Sequence, residues 1–281
     1  NNRNVKKWLS CASLVEVPGD LARIYEQTDV PHGSVHQHIY SSTTTEGQRG
    51  VLVYTPPGYS ITNEQGYPTL VLMHGFGDDE HAWIEVGRAN LVADNLLAQE
   101  KIRPTIIVMP LGHPIPLDER NEFDDYAPRN TDAMEGDLKK DLLPFLRENY
   151  RLSTRREEMA IVGLSMGGGQ SLTIGLRNLE LFSAVGGFSS AAPQGDHESI
   201  AKELGGFNKE IAEQKLRILW VACGKEDFLL ERNNEFVKWL AEQGIPHEYH
   251  LSEGGHDWIV WREYLAEFLT LTFPAENAKA E

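Results

Sequence analysis

The pentapeptide Gly163-Leu164-Ser165-Met166-Gly167 sets a serine between glycines two residues before and two residues after it. A serine hydroxyl is a weak nucleophile until a base takes its proton, and that base must be held in the right tautomer by an acid. Residue types that can do both follow along the chain, Asp227 in GKEDFLL and His256 in SEGGHDW. Serine, then acid, then histidine is the order expected when the nucleophile sits on a sharp strand-to-helix turn above a sheet. The chemistry implied is acyl transfer through a covalent intermediate on Ser165. The pentapeptide alone is a weak signal, because a glycine-rich turn without chemistry looks the same. A dinucleotide or phosphate loop is a further reading, but the spacing in MAIVGLSMGGGQ fits neither pattern and no Gly-Lys-Ser/Thr follows.

Each partner has a competing explanation. Asp227 could instead cap the helix that follows it, and Glu226 is the alternative acid. His256 is the one histidine after the acid that falls on a loop following a strand, whereas His247 and His250 fall within the strand itself. An oxyanion needs two backbone donors. One is expected from Met166 N–H, directly after the nucleophile. The other is expected from LVLMHGFGDD, with Phe76 N–H as the donor and Gly75 and Gly77 keeping that backbone open. His74 is read as a structural residue of the same turn. The aromatic residues Phe76, Trp83 and Trp258 lie near these motifs and either line an acyl or sugar site or belong to the core, and Trp261 reads as core. The acid-rich pieces Asp78-Asp79-Glu80-His81 and Asp118-Glu119 through Asp124-Asp125 have neither EF-hand nor paired-histidine zinc spacing and read as solvated loops. No metal and no cofactor is expected.

These residues require a scaffold, and the chain patterning supplies one. VHQHIYSS (35–42) and GVLVYTPPGY (50–59) read as an antiparallel hairpin. Short runs apolar on both faces then recur: TLVLMHG, TIIVMP, MAIVGLS, SAVGGFSS and RILWVACG, with HEYHLSEG as a final strand. Between them ANLVADNLLAQE, EGDLKKDLLPFLRENY, NNEFVKWLAEQG and WIVWREYLAEFL have helical spacing. The expected class is α/β: a mostly parallel central sheet of about eight strands, an N-terminal antiparallel hairpin, and helices on both faces. Residues 1–30 read as an extended lead-in, 31–275 as one catalytic domain and 276–281 as a tail. The proline- and acid-rich stretch 111–134 reads as a long loop at a strand end, either a substrate-side flap or an insertion.

Bulk properties narrow the partners. The chain has 281 residues, 41% hydrophobic, and a formal net charge of −16. That charge repels nucleic acid and anionic membrane surfaces and is compatible with a neutral polysaccharide or a small ester. No apolar run approaches the length of a membrane span. The opening NNRNVKKWLS has no continuous apolar stretch after its lysines, so no signal peptide is read there. The two cysteines, Cys11 and Cys223, make no disulfide framework, although a bond between them stays open. Nothing in the chain speaks to oligomeric state.

Taken together, VPHGSV, VYTPPGY, HGFGDDEHAW, RANLVADNLLAQEKIRPTIIVMP, GLSMGGGQS, VACGKEDFLL and SEGGHDW resemble carbohydrate esterase family 1, over about residues 30 to 273. That family holds feruloyl and acetyl-xylan esterases. Esterase D, enterochelin esterases and mycolyltransferases share the elbow around the serine. The resemblance implies an α/β-hydrolase fold and removal of feruloyl or acetyl groups from xylan-type polysaccharide or its oligosaccharides. It implies Ser165 as nucleophile, His256 as general base and acid, Asp227 as its orienter, and the Phe76 and Met166 backbone at the oxyanion. A secreted or periplasmic location follows from that substrate class. SLVEVPGDL resembles the junction that joins an upstream carbohydrate-binding module to the esterase in multimodular members. A thioesterase such as S-formylglutathione hydrolase, an acyltransferase, and an inactive carbohydrate-binding homologue are the rival expectations.

Overall fold

The computed structural model describes residues 23–116 and 123–276, together with two strands near the N-terminus, β1 (Arg3–Lys7) and β2 (Ser10–Leu14). These two strands pair antiparallel as a small separate sheet, so the expected extended lead-in contains a hairpin. The main sheet starts with β3 (Ser34–Ser42) and β4 (Gly47–Thr55), antiparallel in a register that sets Ser34 opposite Thr55. It continues with β5 (Thr69–Met73), β6 (Ile106–Pro110), β7 (Met159–Gly163), β8 (Ala184–Phe188), β9 (Ile218–Gly224) and β10 (Glu248–Ser252). The eight strands lie in the order β10-β9-β8-β7-β5-β6-β4-β3, and β5 to β10 pair in parallel.

Apolar residues on both faces of these strands need cover on both sides, because successive side chains point to opposite faces. Val51, Val53, Val71, Met73, Leu219 and Val221 face one core. Leu52, Tyr54, Leu70, Leu72, Trp220 and Ala222 face the other. The first core is closed by α3 (Phe123–Asp137), α4 (Leu143–Asn149), α5 (Ser165–Arg177), α6 (His197–Glu203), α7 (Lys209–Lys215) and α8 (Leu230–Glu242). The second is closed by α1 (Ala82–Glu85), α2 (Ala89–Ala98) and α9 (Trp258–Thr272), with Val92, Leu96, Leu265 and Phe268 turned inward. No helix among the described residues is long and apolar enough to cross a membrane.

One expectation fails. Much of the stretch 111–134 is not loop: helix begins at Phe123 and runs through a π segment, Leu138–Leu142, into α4. Its buried stripe is Tyr126, Asn130, Met134 and Leu138, at four-residue spacing. A polar Asn130 in the stripe and Pro128 in the sequence hide the pattern. In the fold Pro128 lies on the exposed side of the helix. Asp118 and Glu119 lie outside the described residues, as do the side chains of Asp124 and Asp125 and most of the lead-in. Cys223 is a buried free thiol, and burial, with the charge of nearby Asp227, pushes its pKa up to about 12. Such a thiol is inert.

Candidate active site

β7 ends at Gly163 and α5 begins at Ser165, so the reversal is made within two residues. Ser165 takes φ = 54°, a left-handed conformation that an L-residue with a side chain rarely adopts. The bend brings backbones together where only glycine fits. A Cβ on Gly163 would lie 2.6 Å from Met73 Cβ, and one on Gly167 would lie 2.7 Å from Met73 C and closer still to His74 O. This is the physical content of the two flanking glycines. Ala191 N–H, from the loop after β8, donates to Ser165 O (2.9 Å) and fixes the turn from the far side.

β9 and β10 deliver the other two groups. Asp227 follows β9, buried, while its neighbour Glu226 is exposed. His256 follows β10, one residue before Asp257, whose carboxylate caps α9 by accepting from Ile259 N–H (2.8 Å). His256 Nδ1 lies 3.0 Å from each oxygen of Asp227, and its Nε2 lies 3.0 Å from Ser165 Oγ. A carboxylate only accepts, so the ring proton sits on Nδ1 and Nε2 carries the lone pair that faces the serine O–H. Burial opposes ionisation of Asp227, but hydrogen bonds from His256, Ser189 and Leu229 N–H outweigh it and hold the carboxyl below its ordinary range. Leu229 N–H reaches Asp227 Oδ1 at 2.8 Å, so the acid also terminates its own turn as a cap does.

Gly75 passes against the nucleophile: a Cβ there would lie 3.5 Å from Ser165 Cβ. The turn is closed by Asp78 N–H donating to Gly75 O (3.2 Å), with Gly77 at φ = 79°. Phe76 and Met166 are both half-buried beside it, and Met166 stands in the first turn of α5, where backbone N–H groups lack helical partners. His74 is buried in the same turn and donates to Gly75 O (2.8 Å).

The tryptophans separate. Trp83 is 1% exposed, donates its indole N–H to Met73 O (3.0 Å) and packs on Phe188. It offers no face to a ligand, so of its two readings, site lining or core, the structure places it in the core. Trp258 is half-buried and stands edge-on to Trp83 and Trp261. Trp261, read as core, is buried yet touches the site. Its ring meets His256 at 4.8 Å and 89°, and its N–H donates to Ser189 Oγ (3.0 Å). Two contributors escaped the sequence reading. Ser189 sits just beyond β8 at φ = 46°, fully buried. Its position after a strand end, like that of Asp227 and His256, was the signal available. Phe228 is 75% exposed with its ring 4.4 Å from that of His256, an apolar surface that adjacency to Asp227 could have flagged. Asp79, Glu80 and His81 bring three ligand-type atoms within 4.8 Å, half-buried rather than freely solvated. Asp79 Oδ1 accepts from His81 N–H (2.9 Å).

Known proteins similar to this chain include esterases. The Esterase family model matches residues 42–271. An endo-1,4-beta-xylanase/feruloyl esterase of Xylanibacter ruminicola is 30% identical over 93% of this chain, which spans 34% of that protein. An acetyl esterase of Caldicellulosiruptor saccharolyticus is 25% identical over 73% of the chain and 82% of its own length. Among solved structures, the CE1 ferulic acid esterase of Anaeromyces mucronatus in complex with ferulic acid superposes with a TM-score of 0.77. It is 25% identical, and the match covers 88% of this chain and 93% of that one.

Proposed function

The chain belongs to the Esterase family, and from that premise we propose that it is a serine carboxylic-ester hydrolase releasing feruloyl, or acetyl, groups from xylan-type polysaccharide. The observation that carries this reading is the unbroken chain from Ser165 Oγ through His256 to Asp227. Ser165 attacks the ester carbonyl as His256 Nε2 takes its proton, and the backbone N–H groups of Phe76 and Met166 receive the oxyanion. The imidazolium formed is stabilised by Asp227 and gives the proton to the sugar oxygen as its bond to the acyl carbon breaks, so that the sugar leaves as a hydroxyl. Water then repeats the sequence on the acyl-enzyme, releasing the acid and restoring Ser165. No step calls for a metal or a cofactor.

The exposed ring of Phe228 beside His256, with Ile259 also exposed, favours a bulky aromatic acyl group over acetyl. The net charge of −16 suits an uncharged polysaccharide and disfavours nucleic acid. A secreted or periplasmic location, inferred from that substrate class, belongs to the proposal. The test is hydrolysis of methyl ferulate and acetylated xylan by the wild type and Ser165→Ala. The variant is expected to lose roughly 10⁴-fold or more in kcat. Activity that survives this substitution sinks the serine mechanism, and ester exchange to an added alcohol in place of acid release would make the protein a transferase.

A further inference from the structure

Residues 111–116, after β6, run beside the turn that carries Phe76, and the two segments exchange histidines. His74 donates from Nδ1 to Gly75 O (2.8 Å), so its Nε2 is bare and accepts Gly112 N–H (2.7 Å). In return, Gly77 N–H donates to His113 Nε2 (3.2 Å). A backbone N–H can only donate, so His113 carries its proton on Nδ1 and gives it to Tyr126 Oη (2.7 Å). Tyr126 then donates to Ile115 O (3.3 Å). The two imidazoles lie 5.5 Å apart, and Phe76 stands edge-on to His113 at the same distance.

The 111–115 side of this exchange is tied down from three elements. Gly112 O accepts from Gln170 on α5 and from Asn130 on α3, each at 3.0 Å. Arg49 on β4 donates to Leu111 O and, at 3.3 Å, to His113 O. Asn130 Oδ1 accepts from Ile115 N–H (3.3 Å). The segment is therefore a fixed post, and the Phe76 turn hangs from it by two reciprocal bonds. Gly75 and Gly77 leave that turn with little stiffness of its own. Burial lowers the pKa of both rings, that of His113 to about 3, which favours the neutral imidazoles whose bare nitrogens these two bonds need.

We propose that His113, gripping Gly77 N–H from the 111–115 segment, is a positioning residue that sets the Phe76 N–H against the oxyanion, with His74 completing a reciprocal clasp. It acts on the Phe76 turn through Gly77 N–H. The proposal rests on the serine-esterase reading. That reading is checked separately by Ser165→Ala, whose loss of activity does not depend on how the turn is held.

The experiment compares kcat and KM for methyl ferulate in the wild type, His113→Leu, His113→Gln and Tyr126→Phe, with thermal melting of each. Leucine keeps bulk without an acceptor, glutamine places a neutral oxygen near the former Nε2, and phenylalanine removes the group that fixes the tautomer. A donor displaced by a fraction of an ångström loses transition-state stabilisation, so His113→Leu is expected to lower kcat about 10- to 100-fold with KM within about threefold. His113→Gln should recover at least half of that loss on a logarithmic scale, and Tyr126→Phe should lower kcat about 3- to 10-fold. If His113→Leu does not fold, the Gln and Phe variants decide: Gln near wild type with Phe reduced supports the clasp. Equal loss in Leu and Gln, a change confined to KM, or wild-type kcat in Tyr126→Phe overturns it.

Discussion

Replacing Asp227 by Asn exchanges one oxygen of the carboxylate for an amide NH2 at constant volume. In the native site Oδ1 accepts from Leu229 N–H (2.8 Å) and both oxygens face His256 Nδ1. The amide has one oxygen to share. If that oxygen takes the Oδ2 place, Leu229 N–H confronts NH2 and is left buried without an acceptor, at a cost of about 1–3 kcal/mol. The favoured orientation keeps the oxygen on Leu229, so NH2 faces Nδ1. Oδ1 still lies 3.0 Å from Nδ1, but the native tautomer would also set its N–H against the NH2 at the Oδ2 place, so the tautomer with the proton on Nε2, pointing at Ser165 Oγ and unable to act as base, is favoured. With the tautomer wrong, kcat for methyl ferulate is expected to fall roughly 10³- to 10⁴-fold with little change in KM. Because the volume and the Leu229 bond are kept, unfolding free energy should change by no more than about 1–2 kcal/mol. Steady-state kinetics and denaturant unfolding of the same preparation measure both. A kcat within tenfold of wild type would refute the tautomer reasoning, and Glu226→Gln at the exposed neighbouring carboxylate serves as the unaffected control.

Three further outcomes are expected. Phe228→Ala removes a ring that is 75% exposed, so stability should move by less than about 0.5 kcal/mol. KM for methyl ferulate should meanwhile rise about 3- to 10-fold, as a lost apolar contact predicts; an unchanged KM would remove Phe228 from the acyl surface. Gly167→Ala drives a Cβ to 2.7 Å from Met73 C and should cost about 1–3 kcal/mol in chemical denaturation. Wild-type stability there would mean that the elbow relaxes freely. Finally, the folded-state pKa of Asp227 is depressed, chiefly by hydrogen bonds that outweigh burial. A depressed carboxylate stabilises the fold fully above its unfolded value, about pH 4, and loses that contribution as pH falls through the folded pKa. The stability gap between wild type and Asp227→Asn should therefore be widest above about pH 4 and narrow in more acid solution. A gap that widens on acidification would reverse the assignment.

The central strands were legible because they are short, apolar on both faces and punctuated by turn residues, a pattern that suits a doubly covered sheet. Ser165, Asp227 and His256 were legible because each stands just past a strand, and the C-terminal ends of parallel strands converge along one edge. The helix from Phe123 was not legible. Its buried stripe contains Asn130, whose burial is made tolerable by Gly112 O and Ile115 N–H, partners that no local pattern discloses. Trp83 stayed undecided between site and core for a similar reason: being four residues beyond Asp79 says nothing about which face of the turn the indole takes.

What the chain determined by itself was local: where backbone turns sharply, where strands must be covered twice, and which side chains sit at strand ends. Those follow from sterics and from periodicity within a few residues. Only the tertiary structure decided the atoms that finish the chemistry. The bare Nε2 of His256 depends on Asp227, 29 positions away. The set of the Phe76 turn depends on His113, 36 positions from Gly77. Hydrogen bonds act over about 3 Å, and a distance that short between residues so far apart in the chain exists only once the sheet has brought its strand ends together.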